Sequence, residues 1–513
     1  MAEIPLTVGA LLARAAENSP QHTYVVSPDD RLTFAEAERR SALHARWLMA
    51  RGVGKGTRVG LFFPNGTKWV SWWLAVSRIG AVAVPLSTLY PAAELAKVVR
   101  LADVAVLVAP ERVLNIDVAA LFEQAWPELA GGQPGQVMLP EAPFLRTVVL
   151  TGSGRPGWSS DPDDGRLVPH DLLTRAETEV TAADLAIMVH TSGSTADPKG
   201  VLHTHGTLSR QTSTWPDAIR AVTGSSAPPV ILCAMPFFWI GGVLAATGAL
   251  HDPVTLLVLP RLEPAVALDL IEAERATGVV GWPAFTQRLR EHPDFDERDL
   301  SSAPLLRDGP LDIAMTDVPD GFPVHRTMSE TAGGFAYTDM QIVDDHGVPV
   351  EDGTVGELWV RGIGVMAGYN KRERADTFDA DGWYHTGDRV YRKPGDPRLF
   401  YVGRNTDMIK TSGANVSPLE VEAVIETFDD VAQCVVVGVD HPDRGEEVCA
   451  VVVPAAGAPD TASLRQRTAE LLSSYKVPTR WVTATGAQIP TLPSGKLDRK
   501  ALRAWVGDGA SDE

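Results

Sequence analysis

The stretch from residue 58 to residue 85 limits the architecture more than any other part of this chain. Two short runs rich in β-formers, 58–63 and 81–85, bracket an apolar segment, 69–79, that has the length and spacing of a helix. Strand and helix alternate again through 104–108 and 186–189. Such alternation predicts parallel sheets with helices packed on them. Upstream, Thr33-Phe34-Ala35-Glu36 has the form of a capping box, with Thr33 accepting from a backbone amide and Glu36 reaching back. Phe34, Ala37 and Leu48 then follow helical spacing, and Gly52 supplies a left-handed stop.

At 513 residues the chain is too long for one hydrophobic core, because single cores stop growing near ~250–300 residues. From 131 to 169 it is rich in Gly and Pro and reads as irregular surface. Its character changes again after Asp388, where 391–396 reads as a turn-rich connection. Beyond Gly403-Arg404 comes a compact α+β pattern: helix 418–427, strands 434–439 and 448–453, helix 463–472. This unit is large enough to fold by itself. The boundary falls within 403–407, giving domains of 1–403 and 404–513.

The formal charge of −19 repels phosphate backbones and anionic lipid over long range, which argues against nucleic acid and membrane partners. Any bound nucleotide must be held by local donors. Cys233, Cys434 and Cys449 are scattered and odd in number, so they form neither a disulfide framework nor a metal-ligand pattern, as suits a reducing cytoplasm. No signal peptide is visible after Met1. Residues 221–250 carry no charge, but Pro228, Pro229 and Pro236 interrupt them, so a buried strand followed by a buried helix is expected, with no membrane span.

The strongest local signal is Thr191-Ser192-Gly193-Ser194-Thr195-Ala196-Asp197-Pro198-Lys199-Gly200, directly after an apolar run. Hydroxyls and amides on a small-residue loop can cradle phosphate oxygens, and Lys199 adds a positive charge. The order of residues is not that of a P-loop, and taken alone the segment also reads as a flexible hairpin turn. Glu330, in Met328-Ser329-Glu330-Thr331, reads by itself as a solvated loop residue. Asp388 follows Thr386-Gly387, placed to accept from paired ribose hydroxyls. Then come Gly403-Arg404, Ile409-Lys410-Thr411-Ser412-Gly413 and Pro493-Ser494-Gly495-Lys496. A single lysine such as Lys496 is ordinarily a solvated charge.

In their order and spacing these segments resemble the adenylate-forming superfamily of acyl-CoA synthetases, peptide-synthetase adenylation domains and firefly luciferase, over nearly the whole chain. The resemblance implies an α/β multidomain fold. A large N-terminal domain of three subdomains would combine parallel and mixed sheets, packed helices and a distorted barrel. A small mobile α+β C-terminal domain would rotate between two half-reactions. It also implies ATP, Mg²⁺ and coenzyme A as reaction partners. By resemblance, Thr191, Ser192, Gly193, Ser194, Thr195 and Lys199 wrap the β- and γ-phosphates. Glu330 holds the Mg²⁺, Ser329 lies near the α-phosphate, and Asp388 and Arg404 hold the ribose. Asp308 and Gly309 fall where the family has a glycine-rich strand against adenine. Lys410 and Asn415 help form the adenylate, and Lys496 reaches the α-phosphate and the substrate carboxylate. The chain departs from the family pattern at Ala196, usually glycine. It departs again at Arg326-Thr327, usually an aromatic-Gly pair, in a shortened 300–325 stretch, and at the hinge residue Thr406.

Met235-Pro236-Phe237-Phe238-Trp239-Ile240-Gly241-Gly242 occupies the segment that lines the acyl pocket in that family. Amino-acid-activating relatives place an Asp here. This chain offers Phe238 and Trp239, with Gly241, Gly242, Val243, Met328, Gly333 and Gly334 as further lining. A buried ammonium would have no partner, so an apolar carboxylate is expected, whether fatty, aryl or alicyclic. Phe237 and Trp239 also read as ordinary core aromatics. His190, His203 and His205, near the phosphate loop, read as structural. The main expectation is an AMP-forming acid–coenzyme A ligase. The alternatives are an acyl-AMP ligase loading a carrier protein in trans and a non-catalytic nucleotide- or acyl-binding homologue. Oligomeric state stays open, a homodimer included.

Overall fold

Helix Thr67–Arg78 shows how the N-terminal half is layered. Every residue in it except Lys68 is buried, Arg78 among them, held by ion pairs to Glu38 and Glu177. Trp69 and Trp73 stack on each other at 5.6 Å. The helix packs against strands of both large sheets, and so lies between them. The computed structural model describes residues 4–191, 197–224, 227–281, 283–308, 338–395, 399–404, 408–455, 457, 460–490 and 497–507.

One sheet has seven strands. In order they are Gly368–Tyr369, Lys199–Thr204, Leu185–Thr191, Val82–Pro85, Arg58–Leu61, Val106–Pro110 and Thr147–Thr151. The last five run parallel and the first two are antiparallel additions at one edge. The other sheet has five strands, Gly278–Val280, Val230–Cys233, Thr255–Leu257, Thr23–Ser27 and Asp30–Thr33, parallel except for the final pair. The Thr33 capping box is present, and Gly52 has φ +77°. The uncharged 221–250 stretch holds strand Val230–Cys233 and helix Ile240–Gly248. Among the described residues no helix is long and apolar enough to cross a membrane.

One expectation is corrected here. The 131–169 segment is not all irregular, because Thr147–Thr151 extends the seven-stranded sheet in parallel pairing with Val106–Pro110. Val148 and Leu150 enter one core cluster and Val149 enters another. A five-residue run without polar alternation gains its identity from a partner some forty positions away.

A third sheet is antiparallel: Asp339–Val343, Gly356–Arg361, Tyr384–Arg392 and Leu399–Arg404. It stands where the distorted barrel is expected; among the described residues its two outer strands do not pair with each other. Arg404 ends this sheet, and the next begins at Ile409.

The C-terminal sheet runs Ala414–Val416, Ile409–Thr411, Gly445–Pro454, Val431–His441, with Arg480–Thr483 added in parallel to Gly445–Pro454. Along Val431–His441 successive side chains point to opposite faces. Cys434 and Val436 pack under helices Pro418–Ile425 and Thr461–Leu471. Val435 and Val437 pack under helix Arg499–Gly507. Both faces are covered, which is why the strand reads as a continuous apolar run. All three cysteines are buried thiols.

Candidate active site

The segment expected to wrap the phosphates connects two antiparallel strands. Thr191 ends one strand and Lys199 begins the next, and the two residues face each other in the register. Ser192, Gly193, Ser194, Thr195 and Ala196 lie outside the described residues. A Cβ at Gly200 would come within 2.7 Å of Met188 Sδ, so that side chain would have to shift to admit it. Asp197 forms an ion pair with Lys97 at 2.7 Å. Lys199 Nζ lies 5.5 Å from the centre of the Tyr369 ring, within cation–π range. The Tyr369 hydroxyl shares a 2.8 Å hydrogen bond with that of Tyr384. The chain of contacts therefore runs from Lys199 to the strand that bears Asp388.

Asp388 sits directly across from Arg404 in the antiparallel pairing; the Arg404 side chain is outside the described set. Between Glu357 and Trp359 the register slips, so that residues 386–388 bulge from the pairing with the Gly356–Arg361 strand. A bulge re-aims side chains, and this one is pinned on several sides. Thr386 Oγ1 donates to Leu358 O at 2.6 Å and accepts from Asp388 N–H at 3.0 Å. Gly387, at φ +73°, donates its N–H to Glu357 Oε1 at 2.9 Å.

In the C-terminal domain, Lys410 and Asn415 are exposed cross-strand partners of a tight hairpin. Ser412 and Gly413 make its turn, with φ +49° and +83°. Two successive positive φ values are the mark of a two-residue turn matched to strand twist. Arg307 and Asp308 close a single helical turn, Leu305–Asp308, where a strand was expected. Leu306 is buried in the third core cluster and anchors that turn. The Asp308 side chain, Gly309, Met328, Ser329, Glu330, Gly333, Gly334 and Lys496 lie outside the described residues, as do Arg326, Thr327 and Thr406.

The 235–243 segment, expected to line the acyl pocket, divides into core packing and partly exposed residues. Phe237 is fully buried, 4.7 Å from the Trp69 ring, and is a core aromatic. Val243 is likewise core. Phe238 is buried and meets half-buried Trp239 edge-on at 5.5 Å. Gly241 and Gly242 are close-approach positions. Added Cβ atoms would come within 2.3 Å of Met235 Cε and 2.4 Å of Pro236 O. Asn65 clamps the segment, donating from Nδ2 to Met235 O at 2.9 Å and accepting from Phe237 N–H at 2.7 Å.

His190, His203 and His205 are buried, and burial lowers each imidazole to about 4. At neutral pH they are uncharged, and His205 Nδ1 accepts from Val8 N–H at 3.3 Å. Among the described residues no group of three or more His, Cys, Asp or Glu converges as a metal site.

The AMP-binding enzyme model matches residues 12–309, and that of the AMP-binding enzyme C-terminal domain matches 420–496. This chain belongs to the AMP-binding enzyme family. A feruloyl-CoA synthase from Amycolatopsis is 32% identical, with 98% of this chain and 99% of the relative covered. A Mycobacterium tuberculosis propanoyl:CoA ligase, whose acid carries a methylated dioxo-octahydroindenyl ring, is 31% identical over 97% of this chain and 98% of the relative. Among solved structures, the amide bond synthetase McbA from Marinactinospora thermotolerans aligns with a TM-score of 0.76 and 26% identity, covering 97% of this chain and 99% of that one.

Three residues of this AMP-binding enzyme escape a sequence reading. Asn65 lies 170 positions from the segment that it clamps. Tyr369 and Tyr384 join the Lys199 and Asp388 segments only because the Gly368–Tyr369 strand pairs with Lys199–Thr204. Tyr384 belongs to the Asp388 motif, a signal that could have drawn attention to it.

Proposed function

We propose that this AMP-binding enzyme activates an apolar carboxylic acid with ATP and transfers the acyl group to the thiol of coenzyme A. In the first step a carboxylate oxygen attacks the α-phosphorus in line. A P–O bond forms, the bond to the bridging oxygen breaks, and pyrophosphate leaves. In the second step the thiolate attacks the acyl carbonyl, and AMP leaves with the bonding electrons of the acyl–oxygen bond.

Both reactants of the first step are anions, so positioning and charge neutralisation are the main tasks. Thr191 to Lys199 take the β- and γ-phosphates, with Ser329 near the α-phosphate. Asp388 and Arg404 take the ribose hydroxyls, and Asp308 and Gly309 border adenine. Lys410 and Asn415 assist adenylate formation. Lys496 brings a cation to the carboxylate and the α-phosphate; its flexible stem suits a group that enters in one domain pose and leaves in another. A magnesium ion takes one or two carboxylates plus substrate phosphates, so Glu330 suffices as its protein ligand, and when bound it offsets phosphate charge. The movable domain begins after residue 403.

The observation that carries the acid class is the 235–242 segment. Its polar anchor, Asn65, is spent on backbone groups, and its side chains at 237–239 are aromatic. An amino acid's ammonium buried there would cost several kcal/mol without a partner. The aryl and alicyclic acids in the relatives' names agree with this reading.

The test is carboxylate-dependent pyrophosphate release, with a panel of fatty, aryl and alicyclic acids, with and without coenzyme A. Catalytic release that needs coenzyme A, for one acid class, supports the ligase. A single-turnover burst indifferent to coenzyme A assigns another acceptor. No release with any acid, despite ATP binding, refutes turnover.

A further inference from the structure

Helix Ala92–Leu101 stands where the two domains meet, and its Glu94 is turned toward the C-terminal domain. Glu94 Oε2 accepts from the Ser473 backbone N–H at 2.7 Å and from the Ser473 hydroxyl at 2.8 Å. Its Oε1 accepts from Lys476 Nζ at 2.5 Å. Lys476 also donates to Glu420 Oε1 at 2.8 Å. Glu94, Glu420 and Lys476 are each only 3% exposed, so two carboxylates share one ammonium out of water. Among the described residues Glu420 Oε2 has no partner.

A buried charge set of this kind contributes little to net stability, because desolvation offsets much of the attraction. It does define a geometry. Parting the domains slightly would leave Glu94 buried without Lys476 and Ser473, so the junction favours fully seated or fully open states.

Two links lead from the junction to the active site. One turn along the same helix from Glu94, Lys97 pairs with Asp197 of the phosphate loop. Beside Lys476, Tyr475 meets Trp239 of the acyl segment edge-on at 6.3 Å. With the domains seated, Ser412, Arg444 and Tyr475 face Phe285 and Arg288 across a groove of about 450 Å³. Tyr475 both lines this groove and touches Trp239, so it joins the groove to the acyl segment.

We infer that Glu94, Lys476 and Glu420 form a latch that seats the C-terminal domain for the thiol-transfer step, with Glu94 and Lys476 as positioning residues. The inference rests on the two-step ligase reading. Seating through the latch holds Tyr475 against Trp239 and the groove in register with the acyl segment. Adenylation, performed in the other pose, does not need it.

The full-length chain and its variants are assayed for each half-reaction separately. Acid-dependent pyrophosphate release without thiol reports the first. Thioester formation from supplied acyl-adenylate and coenzyme A reports the second. Glu94→Gln and Lys476→Met are each expected to slow thioester formation by about tenfold or more, as loss of a buried charge partner does. Pyrophosphate release should stay within about twofold, which also shows that the variants fold. Lys476→Arg keeps the charge and should recover most of the thioester rate. The double variant should be less slow than the product of the two single effects, because both remove the Glu94–Lys476 contact. Equal slowing of both half-reactions, or an unaffected thioester step, overturns the latch. If the wild type performs neither half-reaction, the ligase reading fails by itself. The latch is then read from hydrogen exchange of residues 92–101 and 473–476: faster exchange in Glu94→Gln supports it, and unchanged exchange overturns it.

Discussion

Replacing Asn65 by alanine tests whether the acyl segment is held in place by one distant side chain. Asn65 is 7% exposed and satisfies two main-chain groups, the Met235 carbonyl and the Phe237 N–H. Truncation orphans both, and a buried polar group left without a partner costs about 1–3 kcal/mol. Phe237 is fully buried, so its N–H bears the full penalty. Met235 is half-buried, and water can recover part of the loss at its carbonyl. A net cost of about 3 kcal/mol follows. For an N-terminal domain of roughly 400 residues, unfolding entropy of ~2.1 cal/mol/K per residue converts this to a fall in Tm of about 3–4 °C. Differential scanning calorimetry reads that directly. The loosened segment should also raise the KM for the acid by about tenfold while leaving the KM for ATP within about twofold, since in the proposed function this segment serves the acid alone. A Tm within about 1 °C of wild type, with an unchanged acid KM, would refute the clamp.

Other outcomes follow from the same geometry. Trp239→Ala opens the rim of the acyl segment and should raise the kcat/KM ratio of long to short acids by about tenfold, the worth of a methylene or two in an apolar pocket; an unchanged ratio across a chain-length series places Trp239 outside the pocket. Lys496→Ala should slow adenylation by about 10²–10³-fold while sparing thioester formation from supplied acyl-adenylate, and equal loss in both removes that role. Burial holds His44, His190, His203, His205 and His251 at about 4, against ~6.5 in an unfolded chain. The unfolded state therefore binds more protons between those values, and stability falls as pH drops from about 6.5 toward 4, by up to ~1.4 kcal/mol per pH unit per histidine. Tm measured from pH 7.5 to 4.5 should decline accordingly, and a flat profile contradicts neutral burial.

Local patterns carried much of this protein into view. The Thr33 capping box, the buried Thr67–Arg78 helix and the alternating strands of the seven-stranded sheet all lie within a few residues of where spacing placed them, because each depends on neighbours in sequence. Strand Thr147–Thr151 did not show itself, since its pairing partner is remote and its flanks carry glycine and proline. The expected strand after Arg307 begins instead as a helical turn held by buried Leu306. The Lys199 and Asp388 segments stood out as motifs, and so did the aromatic character of residues 237–239. Their mutual arrangement did not. The link from Lys199 through Tyr369 to Tyr384 depends on which strands become edge neighbours. Glu94 and Lys476 meet across 382 positions, and either by itself reads as a solvated charge. The sequence alone determined the family, through the order and spacing of its motifs, and the layered α/β plan, through short-range periodicity. Only the tertiary structure decided which charges leave water together, since burial is a property of two surfaces that meet and neither surface records it beforehand.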